Sequence, residues 1–104
     1  MITTNKLNKI KGYIGIANKA GYLIWGVDNL KGYTHKLYLV IYKSNPTTTI
    51  QKALLRLDDS IYKIMLEDEQ FNLIMQTDKS KIVAIKNLGI ANKIIEMFRG
   101  EDGK

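Results

Sequence analysis

The residues best suited to chemistry lie between Lys19 and Lys36. Gly26 marks a sharp turn, and Asp28 and Asn29 follow as a polar helix start. A helix start exposes N–H groups and the positive end of a dipole, both of which attract phosphates. Asn29 offers a donor and an acceptor to a base edge, whereas Asp28 only accepts. Lys19, Lys31 and Lys36 would supply charge to phosphates, and Trp25 and Tyr33 would supply rings for stacking. The bland alternative is that Asp28 and Asn29 cap a helix and nothing more.

Enzyme chemistry finds little to work with. His35 is the single histidine and has no cysteine beside it, so it reads as a surface loop residue. The carboxylates cluster as Asp58-Asp59 and Glu67-Asp68-Glu69, where turns and helix starts favour acids. Gly12-Tyr13-Ile14-Gly15 has the form of a G-x-x-G nucleic-acid loop but lies inside a helical repeat. No phosphate-binding loop of the G-x-x-x-x-G-K-[ST] form is present. Nothing brings together a nucleophile, a base and an oxyanion donor, so neither catalysis nor a cofactor is expected.

The charge distribution points the same way. The 104 residues carry a net +6. Residues 1–57 hold nine Lys and Arg against one acid, Asp28, a net of +8, and residues 58–104 hold seven against nine, a net of −2. Such asymmetry suits a polyanionic partner, since clustered cations release counterions from phosphates. A protein from a lysine-rich proteome would also look basic. The absence of cysteine excludes disulfides and thiolate metal sites and fits a reducing compartment. No membrane-length apolar run and no signal peptide are read, so a cytoplasmic monomer is expected.

The elements that would position these residues alternate between helical and strand periodicity. A first helix over 5–20, capped by Thr3 or Thr4, carries Leu7, Ile10, Ile14 and Ala17 on one face and ends at Gly21. Gly15 within it suggests close approach of another element. A short strand over 22–25, a two-turn helix over 27–33 and a strand over 36–43 follow. That strand is apolar or aromatic on both faces, as a central strand should be. Asn45-Pro46 reads as the cap and first residue of a helix to Leu57, with Asp58 and Asp59 in a turn. Then come a strand over 61–66, a helix over 69–76 capped by Asp68, a polar loop over 77–80, a strand over 81–86 and a last helix capped by Asn87. Residues 100–104 are expected to fray. This order implies a single α/β domain: a three-layer α-β-α sandwich with a four-stranded mixed sheet between helices.

Three stretches together resemble a known family. Ile14-Gly15-Ile16-Ala17-Asn18-Lys19-Ala20-Gly21-Tyr22-Leu23-Ile24-Trp25-Gly26 is similar to its L-G-L-A-x-[RK]-A-G-K-L-x-x-G opening. Leu37-Tyr38-Leu39-Val40-Ile41 resembles its central strand, and the run Ile82 to Ala91 resembles its closing V-A-I-x-[DE]-x-G-x-A. The family is ribosomal protein L-seven-Ae, with L-thirty-e and the small bacterial L-seven-Ae-like proteins. The resemblance runs from about Lys6 to Phe98.

It implies a noncatalytic RNA-binding protein on an α-β-α sandwich. Partners would be structured RNA, ribosomal and kink-turn-like RNA included, and other ribosome-associated proteins. Members use a G-x-N-E-x-x-K helix start and the loop after the fourth helix. On this chain these positions are Gly26, Val27, Asp28, Asn29 and Lys31, and Thr77, Asp78, Lys79, Ser80 and Lys81. Asp28 stands where the family has Asn, Asn29 where it has Glu, and Gly32 where it has Lys, with Lys31 one residue early. The 31–36 region is about one helical turn shorter, and the 77–81 loop is polar where RNA-binding archaeal relatives carry small apolar residues. These departures leave open an alternative: a protein-interaction module on the same fold that has lost kink-turn recognition.

Overall fold

A computed structural model of the chain describes residues 3–77 and 80–102. The elements follow the order α1 (Thr4–Ala20), β1 (Leu23–Trp25), α2 (Val27–Gly32), β2 (Leu39–Lys43), α3 (Thr48–Arg56), β3 (Tyr62–Leu66), α4 (Asp68–Met75), β4 (Ile82–Ile85) and α5 (Leu88–Asp102). The four strands form one mixed sheet in the order β1-β4-β2-β3. β4 runs antiparallel to both of its neighbours, and β2 and β3 are parallel. Hence β1, β2 and β3 all finish at the end of the sheet where β4 begins.

Helices cover both faces, giving the expected three layers. Ile10, Ile14, Phe71, Ile74, Ala91 and Ile94 from α1, α4 and α5 pack with Leu39, Ile41, Val83 and Ile85 on one face. Leu30 of α2 and Ile50 of α3 pack with Ile24, Val40, Ile82 and Ala84 on the other. The alternation of Leu39 and Ile41 against Val40 explains why β2 is apolar on both sides. Burial of this kind dominates the stability of a small domain, and truncating a fully buried ring such as Phe71 costs about 3–5 kcal/mol.

Local signals set several boundaries as expected. The Thr3 hydroxyl accepts from the Lys6 N–H at 3.2 Å and starts α1. Gly21, at φ 77°, ends it in the left-handed conformation. Asn87 Oδ1 accepts from the Ile90 N–H at 2.9 Å and starts α5.

Other expectations are corrected. Nothing lies within 4 Å of where a Cβ on Gly15 would sit, so no element packs closely there. Asn45 is not a helix cap: it turns the chain in the left-handed conformation at φ 55°. Thr47 caps α3 instead, its hydroxyl accepting from the Ile50 N–H at 3.3 Å. Glu67 rather than Asp68 holds the N-cap position of α4 and makes no side-chain cap bond. Residues 36–38 precede β2 rather than belonging to it, although the Tyr38 N–H donates to the Ile85 carbonyl at 3.1 Å. Of residues 100–104, expected to fray, 100–102 continue α5, and 103 and 104 lie outside the described residues.

Candidate functional site

The turn into α2 is built from backbone. Gly26 sits at φ 85°, ψ 157°, a region open essentially to glycine alone. Its N–H donates to the Ile82 carbonyl at 3.0 Å, and its carbonyl accepts from the Leu30 N–H at 3.1 Å. One residue thus joins the end of β1, the start of β4 and the first turn of α2. No side chain caps that turn.

Asn29 does not cap the helix either. Its Nδ2 donates to the Trp25 carbonyl at 2.8 Å, which fixes the carboxamide against the end of β1. Both Asp28 and Asn29 are solvent-exposed. With one of its amide N–H groups engaged, Asn29 keeps Oδ1 available as an acceptor.

Beside this turn lies an open groove of about 500 Å³, floored by Ile14, Gly15 and Met75. Asn18, Trp25, Gln76, Thr77 and Ser80 form its walls. The absence of a side chain at Gly15 keeps the floor open, which gives that glycine a role that sequence reasoning had assigned to packing. Gln76, in the left-handed conformation at φ 58°, ends α4 and turns the chain into the 77–81 loop. Asn18 was missed from sequence, because it falls at an unspecified position of the opening motif.

The sequence-predicted residues therefore divide. Gly26, Val27, Asp28, Asn29, Thr77, Ser80 and Lys81 gather at the end of the sheet where β4 begins, while Asp78 and Lys79 lie outside the described residues. Lys19, Lys31 and Lys36 do not join them. Lys19 is in the last turn of α1, leading to the far end of β1. Lys36 lies near Tyr38, which bonds to the last residue of β4. Lys31 is in the last turn of α2 and shares a cleft with Arg56 of α3.

Charge differs correspondingly at the groove end. Lys43 and Lys81 are accompanied there by Glu67, Asp68 and Glu69, around the loops that follow β2 and β3. Ser44 ties these loops together, its N–H donating to the Leu66 carbonyl at 2.8 Å and its hydroxyl to Glu67 at 3.4 Å. Among the described residues no group of His, Cys, Asp and Glu has the arrangement of a metal site, and no helix is long and apolar enough to cross a membrane.

Comparison with known proteins adds the fold. No protein-family model and no curated protein sequence matches the chain. A solved structure from Bacillus halodurans, described as that of a protein with unknown function, superposes with a TM-score of 0.64 at 19% identity. The match covers 88% of this chain and 97% of that one. The likeness establishes a shared architecture.

Proposed function

We propose that the chain is a noncatalytic RNA-binding protein of the L-seven-Ae kind, reading a structured, kink-turn-like RNA with the groove end of its sheet in a ribosome-associated setting. The observation that carries this reading is the glycine-only conformation of Gly26. It launches α2 with no side-chain cap and with Asn29 fixed to the Trp25 carbonyl. A fixed acceptor at a backbone-built turn suits a purine edge. Trp25, Thr77 and Ser80 border the same groove and offer a ring and polar groups to an unstacked base.

A second reading rests on a different observation. Glu67, Asp68 and Glu69 stand at the same end of the sheet, where they repel phosphates, and the groove floor is apolar. Those features favour a protein partner there.

Titration against a kink-turn RNA separates the two, with a control RNA whose sheared G·A pairs are replaced by Watson–Crick pairs. Both are run at about 150 mM salt, where nonspecific contacts are screened. Preference for the kink-turn, lost in Asn29→Ala, is the expected result. Binding both RNAs equally removes kink-turn reading, and binding neither turns the assignment to the protein-interaction module.

A further inference from the structure

The cations absent from the groove reappear together at the opposite end of the sheet. Lys31 and Arg56 lie in the last turns of α2 and α3 and line one cleft of about 180 Å³ with Tyr33. Lys86, just after β4, places its Nζ 5.5 Å from the centre of the Tyr33 ring. Lys36 does the same over Tyr38 at 5.7 Å. Two elements of the second helical layer and the end of β4 thus bring three cations around Tyr33, and Lys36 stands at the same end of the sheet on the approach to β2. Their aromatic supports hold two of them in place, which lowers the entropy lost on meeting an anion.

The carboxylates balance this rim only in part. The single acid of residues 1–57, Asp28, sits at the other end of α2. Asp58 and Asp59 lie in the turn between α3 and β3, where the Asp58 carboxylate accepts from the Ser60 N–H at 2.8 Å and feels the charges of Lys36 and Lys63. Among the described residues, no carboxylate forms an ion pair with Lys31, Arg56 or Lys86. Helix C-termini favour a cation each, which accounts for Lys31 and Arg56 singly. It does not account for their convergence with Lys86, because like charges brought together repel. Leu30, Tyr33, Ala53 and Leu57 line the cleft between the two cations.

We infer that this rim is a second RNA-contacting surface, one that grips the phosphate backbone without reading sequence. It has Lys31, Lys36, Arg56 and Lys86 as phosphate contacts and Tyr33 as the ring that positions Lys86. It deepens the reading above by giving the RNA a backbone dock at the far end of the sheet from the groove. It shares the partner class of that reading but none of its residues, so the two fail separately.

The test is a salt titration of the full chain with a short blunt duplex RNA that contains no kink-turn. The Lys31→Ala/Arg56→Ala/Lys86→Ala variant is compared with wild type, with Asn29→Ala and with the charge-retaining Lys31→Arg/Arg56→Lys/Lys86→Arg variant. Circular dichroism establishes that each is folded. The expected result is a loss of about tenfold or more in the alanine variant, and a salt slope shallower by about 3, one for each phosphate contact removed. Asn29→Ala and the charge-retaining variant bind the duplex like wild type. Failure of the wild type to bind, or equal binding by the alanine variant, overturns the proposal. So does a polyglutamate peptide that binds wild type with the same salt slope and displaces the duplex at equal charge, which would assign the rim to an acidic protein partner.

Discussion

The two ends of the sheet solve opposite problems. At the groove end, a glycine-only turn and a pinned asparagine fix geometry, and the charge is mixed. At the far end, Lys31, Lys36, Arg56 and Lys86 concentrate charge on helix ends and aromatic rings, and no backbone position described there has a positive φ except Gly21. A surface that discriminates needs fixed donors and acceptors, and one that merely holds a polyanion needs charge. On the proposed reading, the contrast separates affinity from specificity within a chain of 104 residues.

The strongest way to break the contrast is at Gly26. Gly26→Val forces a β-branched residue into a conformation that costs about 1–3 kcal/mol. Urea denaturation should report a loss of that size. Kink-turn discrimination should fall further than stability alone explains, because α2 would leave the sheet at a different angle. Duplex binding at the far rim should survive under conditions where the variant remains folded. Loss of both activities together, with the fold intact, would mean that the two ends act as one surface.

A smaller effect tests how the groove end is braced. Thr47 caps α3, and Thr47→Ala should cost about 0.5–1 kcal/mol, given a cap bond of 3.3 Å. Asn45→Gly should be neutral or slightly stabilising, since Asn45 occupies the left-handed region that glycine enters freely. If Asn45→Gly proves the more damaging of the two in thermal melts, Asn45 is the residue that sets the start of α3.

The same pair shows where sequence reading stops. Element order, the central place of β2 and the caps at Thr3 and Asn87 were legible, because apolar periodicity and cap chemistry are local. Asn45 was misassigned because asparagine suits both an N-cap and a left-handed turn, and only the path of the chain decides between them. The site was half legible. Gly26 and Asn29 announced a turn and a helix start, but the sequence could not show that Lys31, only five residues past Gly26, would face the opposite end with Arg56. A six-residue helix is enough to carry a side chain from one end of the sheet to the far rim of the same layer, and charge counted along the chain is blind to that.

The finest adjustment of the contrast runs through Asp58. Its carboxyl is held below the ordinary carboxylate range first by the Ser60 backbone N–H and then by the Ser60 side chain, against an opposing effect of desolvation, with the charges of Lys36 and Lys63 contributing least. Those bonds keep it ionised beside the basic rim, where it offsets part of the field around Lys36. Asp58→Asn should therefore tighten duplex binding on the order of twofold at low salt, an advantage that disappears as screening shortens the reach of the charge. The sign for stability is opposite. A carboxylate with a depressed folded-state pKa contributes stability that is present above its unfolded value of about 3.9 and is lost as pH falls through the folded value. Wild type should accordingly lose a small increment of stability below about pH 4 that Asp58→Asn never has. The two proteins should then bind duplex RNA alike once Asp58 is protonated. A binding advantage of Asp58→Asn that persists at that pH would mean that Asp58 restrains the rim through the Ser60 turn rather than through its charge.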